Sequence, residues 1–431
     1  MLHELHERGW FSGAVVLGTN EEIYAKGFGY ANVESRLPFT PDVAADGASI
    51  AKTLTAAALF MLVEGGRLDL EAPVVRYLPE YPHPKVLVWH LLAHTAGLPE
   101  AEYDFFNGLI PSHRIKTTDL LLATLRNVQF QPEFIPGTRF QYSSLGFDVA
   151  ALLVERVTGK QWASFLRERV FEPLHMDRTF LRPPQLDDWT GVRTLSYRRA
   201  GDSLVIHDVF DLEGFYGGSN LYFSTRDLFR WSRSFYTRPV LSRGSLQHGS
   251  TAPVLYDSIR KQGGHSRINL LSWYYAPKAK RFHYPGALQG FWSSAYRDEN
   301  RKYSIVYMSN NSMPQWLRPM LTRALIEIME GRPAPTIEEP RDLLITQQNV
   351  GEFTGTYFVP AVGRVGISED NNRVLVTMGN GIVYRAFFVA DRQLYIPGLD
   401  VWLAFPASDT PFARVRWLSI FHSAIGARAA A

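Results

Sequence analysis

Ser49 and Lys52, within Ser49-Ile50-Ala51-Lys52, are the residues of this chain best spaced to do chemistry together. On a helix, residues three apart share a face, so the Lys52 ammonium reaches the Ser49 hydroxyl. A serine hydroxyl is a poor nucleophile until a neighbour takes its proton. In a first helical turn Ser49 would also meet the positive end of the helix dipole, which favours developing negative charge. The pair reads as an acyl-transfer nucleophile with its activator. The bland alternative is a helix-start serine followed by a solvated lysine. The flanks weigh against it, because Ile50, Leu54, Ala57, Ala58, Met61 and Leu62 are apolar at helical spacing. Lys52 therefore falls inside a buried stretch, where desolvation lowers an amine's pKa and makes it a proton acceptor.

Two further stretches carry reactive or permissive residues. In Pro136-Gly137-Thr-Arg-Phe-Gln-Tyr142-Ser143-Ser144, a Pro-Gly turn precedes a tyrosine. That phenol either reaches the Ser49 site or packs at a helix start. In His283-Tyr284-Pro285-Gly286-Ala287, followed by Gly290-Phe291, glycine permits close backbone approach by a ligand and proline tolerates an edge strand.

Other candidates are weaker. His90 and His94 have a helical zinc-binding spacing, but Leu91 stands where H-E-x-x-H needs glutamate and no third ligand is indicated. No metal is expected. His3 and His6 lie on a polar terminus and read as solvated. Gly47-Ala-Ser-Ile-Ala lacks the second glycine of a nucleophile elbow, and a helix rather than a strand-turn-helix is expected there. Both points speak against an α/β-hydrolase.

The elements that must position these residues follow from periodicity. Residues 13–18 and 23–30 flank a turn and read as a hairpin. The Ser49 helix ends at Gly65-Gly66, and Pro79, Pro82 and Pro84 mark a loop. Helices are expected at 88–93, 117–127, 144–158 and 160–171. Gly217-Gly218 opens a strand-like stretch, and Ser224 is an N-cap for a helix over 226–236. Strands are expected at 267–276, 281–285, 291–297 and 302–309, then a helix over 315–330. This order predicts an α+β layout, an antiparallel sheet built from both chain ends with a helical insertion between them. Beyond Gly331-Arg-Pro-Ala-Pro, seven short strands beginning at 357, 365, 374, 384, 393, 401 and 414 predict a small antiparallel barrel. The expected domains are 1–331 and 345–431, with 332–344 as a Pro-rich linker.

Composition bounds the function classes. The chain has 431 residues, 46% apolar and 20% charged, which describes a soluble globular protein with a large core. With 45 basic and 42 acidic residues and no run of like charge, nucleic acid is not an expected partner. There is no cysteine, which excludes disulfides, thiolate metal sites and cysteine nucleophiles. The apolar run 53–63 is too short to span a bilayer, and the charged N-terminus lacks a secretory h-region. The expectation is a cytoplasmic protein, or a periplasmic or secreted one if a leader is removed.

Taken together, Ser49-Ile-Ala-Lys52, Tyr142-Ser-Ser144 and Tyr284-Pro-Gly286-Ala287 resemble the three motifs of the serine β-lactamase and penicillin-binding-protein superfamily. Collinear stretches over most of residues 10–330 extend the likeness, among them Leu62-Val-Glu-Gly-Gly-Arg-Leu-Asp-Leu and His90-Leu-Leu-Ala-His-Thr-Ala-Gly-Leu-Pro. The class C β-lactamases, family VIII esterases and D-aminopeptidase-like hydrolases are the nearest look-alikes. The segment after 345 resembles the lipocalin-like domain of some members. The resemblance implies Ser49 as nucleophile, Lys52 as its proton acceptor and Tyr142 as partner base and later acid. The backbone N–H groups of Ser49 and Ala287 would form the oxyanion hole, with Ser144, His283, Tyr284 and Gly286 lining the substrate pocket. It implies no cofactor, a small-molecule ester or amide as substrate, and leaves homo-oligomerisation open. Two departures stand out. Ser144 replaces the usual asparagine, and Tyr284 replaces the usual Lys or His that binds a substrate carboxylate. Both favour simple esters over β-lactams and C-terminal peptides. D-amino-acid peptides or amides are the alternative substrates, and a catalytically silent binding protein is the third reading.

Overall fold

The computed structural model describes residues 1–99, 118–127, 129–183, 189–200, 203–208, 215–237, 240–251, 267–276 and 279–339; beyond these it describes 353–359, 363–370, 373–379, 381–390, 392–396, 401–405, 414–418 and 423–428. The chain forms two compact units, one of Leu2–Asp257 with Arg267–Met313, the other chiefly of Pro314–Ala431. The expected boundary at 331 thus lies after the observed one. A Pro-rich run marks extended chain, which is irregular over 333–339, whereas compact units are set by packing. The expected start at 345 lies outside the described residues.

The first unit holds a seven-stranded antiparallel sheet. Strands β1 (Gly13–Gly18) and β2 (Glu22–Phe28) form the expected hairpin. Two short strands, β3 (Ala44–Asp46) and β4 (Phe180–Leu181), flank β5 (Leu221–Ser224) in a separate small sheet. The main sheet continues with β6 (Arg267–Ile268), β7 (Tyr274–Ala276), β8 (Arg281–Leu288), β9 (Phe291–Asp298) and β10 (Tyr303–Ser309). Its order is β6-β7-β8-β9-β10-β1-β2, so β10 from late in the chain pairs with β1 from its start. The stretch expected as one strand over 267–276 is two, because Asn269 to Trp273 make a turn closed by Ser272 N–H donating to Asn269 O.

Helices occupy the middle of the chain. After α1 (Leu2–Glu7) come α2 (Ala51–Glu64), α3 (Val88–Leu92), α4 (Thr118–Asn127) and α5 (Leu145–Thr158). Then follow α6 (Trp162–Leu166), α7 (Thr225–Thr237) and α8 (Arg243–Thr251). The helix expected over 160–171 changes at Arg167 to a π-helical turn. Helix α2 is buried around its whole circumference from Ala51 to Leu62, which an all-round apolar sequence requires. It packs against α5, with Leu54, Ala58, Leu91, Phe147 and Val154 in one shared core. Ser224 Oγ accepts from Asp227 N–H and caps α7 as expected.

In the second unit α9 (Leu317–Met329) precedes eight antiparallel strands. These are β11 (Gly355–Val359), β12 (Gly363–Asp370), β13 (Arg373–Met378) and β14 (Val383–Ala390), then β15 (Gln393–Ile396), β16 (Val401–Ala404), β17 (Arg414–Leu418) and β18 (Ser423–Arg428). They close as a barrel through the pairing of Tyr357 with Arg428. Alternate residues such as Val365, Ile367, Val374, Val376, Leu394, Leu403 and Val415 fill its interior, as expected of a small barrel. The closing strand β18 escaped the sequence reading because Ser-Ala-Ile-Gly-Ala-Arg has little β-branched or aromatic character.

Candidate active site

Ser49 sits where β3 turns into α2, in a 3₁₀ turn over Ala48–Ile50 rather than in the helix itself. A strand therefore does precede Ser49, contrary to expectation, but it belongs to an antiparallel sheet. Ala48 has φ of 48°, a left-handed conformation uncommon for a residue with a Cβ. Asp46 holds that turn: it is buried, and its Oδ1 accepts from Ala48 N–H at 2.7 Å. Lys52 lies three residues on, in the first turn of α2, and so comes to the same face as Ser49. Ser49 itself is only half-buried.

The three residues singled out for catalysis converge. Tyr142 Oη donates to Ser49 Oγ at 2.9 Å, and Lys52 Nζ lies 3.2 Å from the same oxygen. Lys52 is fully buried. Its amine also donates to Ser144 Oγ at 2.9 Å and to Gly218 O at 2.8 Å. Ser144, expected to line the substrate pocket, starts α5 half-buried, with its hydroxyl turned to Lys52 rather than capping the helix. The Gly217-Gly218 pair, expected to open a strand, serves the same amine. Gly217 has φ of 105°, and a Cβ there would lie 2.4 Å from Phe147 O, so only glycine admits this backbone. Thr55 Oγ1 donates to Gly217 O and Asp148 Oδ1 accepts from Gly218 N–H.

Tyr142 is held by His94. Gln141 N–H donates to His94 O, Ser143 N–H donates to His94 Nδ1, and the imidazole stacks on the Tyr142 ring with centroids 4.5 Å apart. Burial, then the Lys52 charge, pulls the His94 pKa down to about 3, so the ring is neutral. His90, the other half of the supposed zinc pair, accepts from Leu87 N–H through Nδ1. A Cβ on Gly137 would lie 2.8 Å from His90 Nε2, which explains the glycine of the Pro-Gly turn.

The third motif runs along β8. Gly286 abuts the nucleophile turn: a Cβ there would lie 2.3 Å from both Gly47 O and Ser293 Oγ. Ser293 Oγ donates to Gly47 O at 2.8 Å, tying β9 to the same turn. Tyr284, two residues back and on the same face, brings its Oη 3.5 Å from that of Tyr142. Burial, then the phenols of Tyr142 and Tyr274, push its pKa well above the ordinary value, so it stays neutral. Ala287 is exposed, opposite Trp292.

His283 does not join the site. Strand alternation turns it to the opposite face, where its Nε2 lies 3.0 Å from Ser294 Oγ. Burial lowers its pKa to about 3. Neither Tyr284 nor His283 thus supplies a positive charge. Sequence reasoning missed His94 as a support of Tyr142 and also missed Asp46, Asp148, Gly218 and Ser293. Only the left-handed preference of Gly217-Gly218 left a trace, and it was read as a strand opening.

The comparisons with known proteins agree with this architecture. The Beta-lactamase family model matches residues 1–329. Penicillin-binding protein 4* of Bacillus subtilis is 24% identical over 94% of this chain and 92% of its own length. Esterase EstB of Burkholderia gladioli is 36% identical over 38% of this chain and 45% of its own. Among solved structures, the octameric penicillin-binding protein homologue from Pyrococcus abyssi superposes with a TM-score of 0.67, at 21% identity, over 99% of this chain and 98% of that one. The D-amino acid amidase of Ochrobactrum anthropi gives 0.56 at 22% identity, over 72% and 88%. The two structural likenesses speak to fold alone. With the family model covering three-quarters of its length, the chain belongs to the beta-lactamase family of serine hydrolases.

Proposed function

We propose that this chain hydrolyses carboxylic esters through an acyl-enzyme on Ser49. The observation that carries the reading is the meeting of Tyr142 Oη and Lys52 Nζ on Ser49 Oγ, at 2.9 and 3.2 Å, beside a third-motif tyrosine in place of a cation. Ser49 Oγ attacks the ester carbonyl while its proton passes to the Lys52 amine. The carbonyl oxygen takes up negative charge against the backbone N–H groups of Ser49 and Ala287. As the C–O bond breaks, Tyr142 gives its proton to the leaving alkoxide and regains one from Lys52. A water, deprotonated by the same pair, then releases the acid and restores Ser49. With Tyr284 neutral, nothing in the third motif anchors a substrate carboxylate, which favours simple esters. The 36% identity to an esterase over 176 residues supports the same choice.

Amide hydrolysis is the second reading, favoured by a relay able to protonate an amine leaving group. A silent binding protein would have no use for the Ser49–Lys52–Tyr142 geometry. The deciding experiment compares kcat/KM for p-nitrophenyl esters of varied chain length with D- and L-aminoacyl anilides. A preference for esters is expected, and a preference for anilides would reverse the ranking. Likeness to an octamer over nearly the whole chain supports self-assembly. Light scattering coupled to size exclusion should give a mass above that of the 48.9 kDa monomer.

A further inference from the structure

Lys52 is fully buried, and its three hydrogen-bond partners, Ser49 Oγ, Ser144 Oγ and Gly218 O, are neutral. The place of such an amine depends on how firmly those partners are held. One of them is held from one peptide unit away. Asp148 is fully buried on α5, one turn beyond Ser144, and its Oδ1 accepts from Gly218 N–H at 2.9 Å. The carbonyl of the same glycine accepts from Lys52 at 2.8 Å. An acceptor on the N–H side polarises that peptide link and makes its oxygen a stronger acceptor for the Lys52 amine. The link has little freedom to move. A Cβ on Gly218 would lie 3.1 Å from the Ser144 side chain and 3.2 Å from Asp148, while Thr55 holds the preceding carbonyl.

We propose that Asp148 is a positioning residue of this site, which acts through the Gly218 peptide to place the Lys52 amine. Asp148 touches neither substrate nor Ser49. Its effect is on where the Lys52 amine stands relative to Ser49, so the proposal rests on the acyl-enzyme reading above. The other titratable groups around this pair are His94, Tyr142, Tyr284 and Asp46, with Glu155 farther along α5. His94 is neutral, with its ring centroid 5.1 Å from that of Phe147. The Lys52 amine lies 5.1 Å from the centroid of the Tyr142 ring, whose hydroxyl is 3.5 Å from that of Tyr284; Asp46 bonds within the Ser49 turn, and Glu155 accepts from Tyr216 Oη at 2.9 Å. Among the described residues, Asp148 is the carboxylate joined to Lys52 through a single peptide.

The test uses the full chain with Asp148→Asn, whose side-chain carbonyl still accepts from Gly218 N–H, and Asp148→Ser as the second variant. Hydrolysis of p-nitrophenyl butyrate and labelling by a fluorophosphonate are followed from about pH 5 to 9. With an acceptor for Gly218 N–H kept, Asp148→Asn should retain most of the parent kcat/KM. Asp148→Ser, whose shorter side chain falls short of Gly218 N–H, should lose about tenfold through kcat, with KM little changed. Equal losses in the two variants, or a loss through KM, would mean a merely structural role and overturn the proposal. Parent-like behaviour of both variants would overturn it too, as would loss of the native melting transition in both. A parent protein that takes no label at Ser49 would instead overturn the acyl-enzyme reading itself.

Discussion

Two groups meet at Ser49 Oγ, and their surroundings differ. Lys52 is enclosed and has its donors committed to Ser49, Ser144 and Gly218 O, whereas Tyr142 is only half-buried and open to a leaving group. Ser49→Ala should therefore lower kcat/KM for p-nitrophenyl esters by about 10³-fold or more and abolish fluorophosphonate labelling. Ester hydrolysis at the parent rate in that variant would refute the mechanism. Tyr142→Phe keeps the ring stacked on His94 but removes the proton returned to the leaving group. Its loss should be roughly 10²-fold, and larger for alkyl esters than for p-nitrophenyl esters, whose leaving group needs no proton. Equal losses on both substrates would remove Tyr142 from the role of acid.

Elements meet at the site through contacts that leave no room for side chains. Strand β8 comes against the Ser49 turn because Gly286 has no Cβ, and Ser293 of β9 locks the pair through Gly47 O. Gly286→Ala must push β8 away from the turn, carrying the Ala287 N–H with it. The expected result is a kcat decrease of about 10²-fold, from loss of oxyanion stabilisation, with a stability cost of about 1–3 kcal/mol by overpacking. Steady-state kinetics together with urea unfolding would separate the two effects. His94 plays the matching part for the segment carrying Tyr142. His94→Asn, which leaves a side-chain acceptor for Ser143 N–H, should retain more activity than His94→Ala. Equal rates for the two variants would show that the hydrogen bond does not position the phenol.

The molecule as a whole stores its pH sensitivity in groups that are buried neutral. His90, His94 and His283 have pKa values pulled down by burial, the first to about 4 and the other two to about 3. Each must take up a proton on unfolding once the pH falls below the unfolded value of about 6.5. Their stabilising effect is complete above that value and is lost progressively as the pH falls toward 3. Asp46 opposes them. Burial raises its pKa to about 6, despite the Ala48 N–H and Arg182, so the fold is relieved of a charge as the pH drops from 6 toward 4. Three histidines against one carboxyl leave a net loss on the order of 4 kcal/mol between pH 7 and 5. Urea midpoints measured across that range should fall, and Asp46→Asn should steepen the fall because the opposing group is gone. A midpoint that rises on acidification would contradict this balance.

Sequence alone singled out Ser49 and Lys52 as candidates, because spacing on one turn is a local property, and added Tyr142 through the resemblance of its motifs. It also determined the α+β order and the barrel, since strand and helix periods are written in the pattern of apolar residues. Three things were decided only by tertiary structure. The face of β8 sent His283 away from the site, although it is adjacent in sequence to Tyr284. Ser144 went to Lys52, because α5 packs on α2 and brings its first turn to that amine. Asp148, His94 and Ser293 came to support the three catalytic candidates from distances of tens to hundreds of residues along the chain. Such partnerships depend on where the backbone chain returns in space, and no local period or motif records that.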